Sequence, residues 1–377
     1  MKSRTLVILI ALVVAAALLT VVLEREPAPS GDDLRGQRLV PGLADSLNDV
    51  TALEIEAGGE DGLTTVRRGE AGWTVSERAG YPADAGQIRR FLIRLGQARI
   101  VEPKTSNPDL YYRLGVGEAG TDGGGVKLTL QGLPEPVSVI VGNVETRAGT
   151  GTYVRLAGEE QSHLVDVTLD PNRTPVGWLD QSLFDIEPDE VDAIDIRQDD
   201  GSELRIARDS GELYVLDIPE GRRLESPGAP RSMAGVLMAL ELEDVRPVAD
   251  FEGEPPAAIA QYELTDGRRI TARLWQRDDG RYAAFRLAYE APPAADEETP
   301  EGASDPAGDG AAQTAGEEPA PAEETSAGEE VSLADQAADH DARLAPWAFR
   351  IPAHKYDQMT RRLDDLLAAP EPAPETE

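Results

Sequence analysis

The most one-sided stretch of the chain is Thr5 to Leu23 (TLVILIALVVAAALLTVVL), nineteen residues without a charge, a Pro or a Gly. As a helix rising about 1.5 Å per residue it covers roughly 28 Å, close to the ~30 Å hydrocarbon core of a bilayer. Lys2 and Arg4 precede the run, and Glu24, Arg25, Glu26 and Pro27 follow it. The positive-inside tendency then puts the amino terminus in the cytoplasm and the bulk of the chain outside. A cleaved signal peptide has an apolar core of about 7–15 residues and a small-residue cleavage site. The longer run here, with no A-x-A in the LTVVLEREP that ends it, predicts an uncleaved signal anchor over residues 1–25 and a Pro- and Gly-rich tether over 26–39.

Beyond the tether the pattern alternates. Leu53 and Ile55 oppose Glu54 and Glu56, and Leu63 with Thr65, then Trp73 with Val75, continue the period of two that marks half-buried strands. The period then changes: Ile88, Phe91, Leu92 and Leu95 fall at helical spacing behind Asp84, a ready N-cap. Alternation returns at Val126–Leu130, Val137–Val141 and about Tyr153–Leu156, and Trp178 with SLFDI (182–186) closes a first unit, 40–186. The class is α+β: a mostly antiparallel sheet with one packed helix.

The same pattern recurs downstream, as expected of a tandem repeat. An offset of 141 carries Leu53, Ile55, Leu63, Thr65, Trp73 and Val75 onto Ile194, Ile196, Leu204, Ile206, Tyr214 and Leu216. An offset of 145 carries the four helix positions onto Met233, Val236, Leu237 and Leu240, one of 129 carries Gly151 and Tyr153 onto Gly280 and Tyr282, and one of 169 carries Trp178 onto Trp347. A second, similar unit over 187–369 follows. The jump of 40 residues between the last two offsets belongs to 291–340, which holds fourteen carboxylates and no Lys or Arg. Such a segment buries too little apolar surface to offset its ordering entropy, so it is expected to be a disordered acidic insertion. APWAFRIP then reads as a strand, HKYDQMTRRLDDLLAA as a closing helix through Tyr356, Met359, Leu363 and Leu366, and 370–377 as a disordered tail.

Composition narrows function. Seventy Asp and Glu against 36 Lys and Arg leave a net charge of -34, a field that repels nucleic acid and favours solubility. With no Cys there is no disulfide, thiolate nucleophile or Cys-ligated metal. His163, His340 and His354 have no paired metal spacing, and no phosphate loop, nucleophile elbow or S-x-x-K occurs. Asp180, Asp185, Glu187, Asp189 and Glu190 cluster, but in so acidic a chain the cluster reads first as a solvated junction. Trp73, Trp178 and Trp347 read as core anchors. No cofactor or catalytic residue is expected, and the chain is expected not to be an enzyme.

One connection is unusually long and aromatic: Val101 to Val116 carries Lys104, Asn107, Tyr111, Tyr112 and Arg113 between a helix and a strand. Aromatics with Arg are the residues enriched where proteins bind each other, which makes these five the candidate partner contact. The alternative is that one Tyr packs inward while Asn107-Pro108 caps a helical turn.

The anchor together with PGLADSLNDVTALEIE, GWTVSERAGYPADAGQIRRFLIRL and RIVEPKTSNPDLYYRLGV resembles the bacterial membrane-anchored family called domain of unknown function 4340. That resemblance implies a companion of a gliding-motility-type ABC transport system, beside its permease and a larger auxiliary subunit. It supplies no catalytic residues. The expectation is therefore a non-catalytic accessory protein of the bacterial inner membrane, single-pass, with its bulk periplasmic. The alternative is a periplasmic ligand-binding protein or hydrolase.

Overall fold

A computed structural model describes residues 34–59, 62–146, 149, 151–291 and 332–369. The run Thr5–Leu23, most of the expected tether, most of the acidic insertion and the tail lie outside the described residues, as do the expectations placed on them. Among the described residues no helix is long and apolar enough to cross a membrane. The chain is a sheet-rich, mostly antiparallel α+β protein that divides into two compact units, 1–180 and 181–377.

The first unit is built on β1 (Ala52–Glu56), β2 (Leu63–Gly69), β3 (Gly72–Val75), β4 (Tyr81–Pro82), β5 (Ile100–Pro103), β6 (Val126–Gln131), β7 (Val137–Glu145), β8 (Gly151–Leu156) and β9 (Ser162–Val165). They form one sheet in the order β4-β3-β2-β1-β6-β7-β8-β9-β5. Between β4 and β5 lies α1, Ala85–Gln97, capped by the Asp84 carboxylate, which accepts the Gln87 N–H at 2.8 Å. Its period of 3.6 buries Ile88, Phe91, Leu92 and Leu95, each worth roughly 1.5–3 kcal/mol. Trp178 is fully buried in a 3₁₀ turn, edge-on to Phe91 at 5.9 Å, its indole N–H donating to the Asn172 carbonyl.

The second unit opens with β10 (Ser182–Phe184), then β11 (Val191–Gln198), β12 (Glu203–Asp209), β13 (Glu212–Val215), α2 (Ala229–Ala234), β14 (Leu240–Glu241), β15 (Asp244–Pro247), β16 (Ala258–Leu264), β17 (Arg268–Arg277), β18 (Gly280–Tyr289), α3 (Leu333–Leu344), β19 (Trp347–Arg350) and α4 (Ala353–Met359). Eight strands form a sheet in the order β13-β12-β11-β16-β17-β18-β19-β15, and β10 pairs with β14.

Several expectations need correction. SLFDI belongs to the second unit, because β10 pairs with β14. The end of the acidic insertion, 332–340, belongs with 341–344 to the helix α3: Ser332 caps it, Ala337 and Leu344 are buried, and Asp341 holds Arg286 at 2.9 Å while also accepting the Leu287 N–H. Only Ala337 and Leu344 of its apolar residues are buried, a signal that the surrounding acids masked. Leu63, Tyr214 and Leu216 are exposed, because Ile55 pairs with Thr64 rather than Leu63, and Ile206 with Val215. A one-residue phase error moves every side chain of a strand to the other face. Trp347 begins β19 and Trp178 lies in a turn, so the two occupy different kinds of place. The helix expected through Met233 and Leu240 stops at Ala234, continues as 3₁₀ to Leu237, and leaves Leu240 on β14, although all four apolar positions are buried. The closing helix ends at Met359 and Leu366 sits in a separate 3₁₀ turn.

Candidate functional site

The connection from β5 to β6 turns sharply at Asn107, whose side-chain oxygen accepts the Asp109 N–H at 3.0 Å and caps a 3₁₀ turn over Pro108–Arg113. That turn aims successive residues in opposite directions. Tyr111 goes inward, 7% exposed, and its hydroxyl donates to the Glu160 carbonyl at 2.5 Å. Under its ring, 4.6 Å from the centroid, lies the guanidinium of Arg155 on β8, only 4% exposed. Arg155 donates to the carbonyls of Val116 and Glu159 and to the carboxylate of Glu118 at 2.6 Å. Arg155 is thus the fastener of the loop, holding its Tyr111, Val116 and Glu118 onto the sheet. Sequence reasoning missed it, since an Arg in TYVRLA alternates like any solvent-facing strand residue.

Tyr112 points outward, 55% exposed. Arg113 lies beside it, donating from Nε to the Tyr112 hydroxyl at 3.1 Å, its guanidinium 5.7 Å from the ring centroid. Lys104 is ion-paired with Glu102 and sits 5.6 Å from the Tyr153 ring. Its other surroundings are a cleft of about 580 Å³ whose walls include Leu39, Ile100, Leu156 and His163. His163 is buried, with Nδ1 lacking a hydrogen-bond partner, and burial pulls its pKa below the ordinary histidine value. The five predicted contact residues therefore do not make one surface. Tyr111 packs into the core and Asn107 caps the turn, as in the alternative reading of the loop; Lys104 lines a cleft; Tyr112 and Arg113 form a small exposed aromatic–cation pair.

The acidic cluster is consumed by structure. Asp185 accepts the Ala239 N–H at 3.0 Å, Glu190 accepts the Glu187 N–H in a capping box, and Asp189 binds Arg231 through both oxygens. The hydrogen bond from Arg231 holds the Asp189 carboxyl below its usual range. His340 lies on α3 against Phe184, with Nε2 3.1 Å from the Leu183 carbonyl, and burial lowers its pKa. Among the described residues no group of three or more His, Asp or Glu is arranged to hold a metal ion.

What these side chains do chemically is seal and pair rather than converge on a reacting atom. No curated protein and no solved structure matches the chain. A family model, the domain of unknown function DUF4340, matches residues 73–265, from within β3 to just past β16, so that it takes in the aromatic loop, Arg155 and the start of the second sheet. On that match over half its length, the chain belongs to the DUF4340 family.

Proposed function

We propose that this chain is a non-catalytic, single-pass protein of the bacterial inner membrane with its bulk in the periplasm, serving an ABC-type transport system as an accessory component. The observation that carries the reading is the apolar run Thr5–Leu23 with Lys2 and Arg4 before it. Anchoring raises the local concentration of any membrane partner, so a small contact suffices. Tyr112 and Arg113 supply one: amphipathic area at low entropic cost, and a planar cation able to pair a carboxylate. The partner is the permease or an auxiliary subunit.

The exported part is a tandem duplication. With β4 set aside, β3-β2-β1-β6-β7-β8-β9-β5 corresponds strand for strand to β13-β12-β11-β16-β17-β18-β19-β15. Registers support it: Leu53 faces Val66 as Ile194 faces Ile206, and Val66 faces Val75 as Ile206 faces Val215. The second and third strands therefore correspond at an offset of 140, one less than the apolar pattern suggested. The bridges Ala83–Leu179 and Leu224–Leu367 stand at the same point of each unit, which makes Leu366, not Trp347, the counterpart of Trp178.

The test is affinity purification of the full chain from gently solubilised membranes, with copurifying proteins identified. Transport subunits should copurify with the wild type and be depleted with Tyr112→Ala/Arg113→Ala, whose melting temperature should be unchanged. Recovery of no transport subunit with the wild type would sink the assignment. One observation favours a second reading, a periplasmic ligand-binding protein: the cleft of about 580 Å³ with Lys104 and buried His163 in its wall.

A further inference from the structure

In a chain of net charge -34, α1 carries Arg89, Arg90 and Arg94 and no acidic residue. At 100° per residue these three fall on one face, opposite the buried Ile88, Phe91 and Leu95, and all three are exposed. Arg90 reaches Asp84 at 3.6 Å, while Arg89 and Arg94 have no carboxylate partner among the described residues. The stripe continues at both sides. Arg68 and Arg89 line a cleft of about 400 Å³ with Trp73, Ile93 and Asp45, and Arg99 follows the helix, its guanidinium on the Gly36 carbonyl and its backbone N–H on Asp166.

The chain enters the fold at the same place. Gly36 N–H bonds the Ile100 carbonyl, Leu39 N–H bonds the Ala98 carbonyl, and Arg38 donates to the Gly96 carbonyl in the last turn of α1. Only ten residues, Glu24 to Asp33, separate Leu34 from the end of the apolar run, at most about 36 Å of chain.

We infer that the arginine face of α1 docks on the anionic lipid headgroups of the membrane that holds the anchor. The inference rests on the anchor proposed above. The overall negative charge strengthens it: free in solution such a protein is repelled by an anionic surface, but once tethered it must turn some face to the bilayer. Fields are screened beyond about 8 Å, so the local arginines, with Asp45, Asp84 and Asp166 the acids beside them, decide which face that is. A tethered unit thereby acquires a fixed orientation, with α1 down.

The chain contains no Cys, so Gln97→Cys, an exposed position at the end of α1, accepts a single fluorophore. The labelled full chain is reconstituted in vesicles of phosphatidylglycerol and phosphatidylcholine, or of phosphatidylcholine alone, carrying a headgroup-linked acceptor. Energy transfer should be at least about twofold greater in the anionic vesicles, fall to the neutral value in ~1 M salt, and be lost in Arg89→Gln/Arg90→Gln/Arg94→Gln but kept in the triple Arg→Lys variant. Equal transfer in both lipids, or a Gln variant indistinguishable from wild type, overturns the inference. Transfer that ignores lipid charge but changes on deleting residues 292–331 overturns it in favour of a polypeptide occupant. A chain that does not float with vesicles at all overturns the anchor itself, a failure distinguishable from the others.

Discussion

Each unit seals one patch of its sheet with an aromatic ring from the connection that follows β5 or β15, yet the two seals are made of different material. In the first, the sheet contributes a charge, Arg155, and Tyr111 covers it. In the second, the sheet contributes Trp275, Tyr282 and Ala284, and Phe251 covers them, its ring centroid 5.0 Å from that of Trp275. Arg277 then lies over Phe251 at 3.8 Å, tied to Glu254 and to the Asp250 carbonyl. One patch is held by hydrogen bonds to a buried cation, the other by apolar area with the cation outside. Hydrogen-bonded seals specify geometry because a lost partner leaves a buried polar atom unpaired; apolar seals contribute more free energy and tolerate small shifts.

The largest effect should come from the apolar seal. Phe251→Ala removes a ring from a well-packed cluster and should destabilise the second unit by about 3–5 kcal/mol, seen as faster hydrogen exchange across β17 and β18. A loss under ~1 kcal/mol would mean that the ring is not sealing anything.

In the first unit, Arg155→Met keeps the apolar stem but strands the Val116 and Glu159 carbonyls, which should cost about 1–3 kcal/mol and free the segment 104–118. Tyr111→Phe, which removes only the bond to Glu160, should cost about 0.5–1.5 kcal/mol. If Tyr111→Phe proves the costlier, the fastener is the hydroxyl and not the guanidinium. Circular dichroism melts of the two variants decide it.

A smaller effect comes from pH, to which each unit brings one buried histidine. His163 on β9 and Phe349 on β19 stand at comparable register positions, opposite Val154 and Ala283. Burial lowers the His163 pKa, so the unfolded chain binds the proton more readily. The stability it contributes is intact above about pH 6.5 and is lost as pH falls from there through the lower folded value. The melting temperature should drop between pH 7.5 and 5.5, and His163→Leu should flatten part of that drop, the remainder following His340, which burial shifts in the same direction. An unchanged slope in His163→Leu would place the titration elsewhere.

Strands were legible wherever two apolar residues alternated with two charges, as in Leu53 to Glu56, because burial of one face is all that a period of two records. Phase was not legible where the strand offers a lone Leu: Leu63 invites the wrong face, while Thr64, fully buried opposite Ile55, gives no hydrophobic signal. The helix α3 was hidden because composition was averaged over fifty residues, and its one buried Ala disappears in such a window while its buried Leu344 falls just beyond it. Of the candidate site, the aromatic loop was found from its length and content, but which tyrosine faces in depends on Arg155, some forty residues later in the chain, and no local pattern carries that.

Membrane topology tests the proposed anchor most directly. Protease added to intact spheroplasts carrying the full chain should digest both units, leaving a fragment of the anchor with its cytoplasmic end. Units that survive until the membrane is broken, or that appear in the soluble fraction without any membrane treatment, would contradict it.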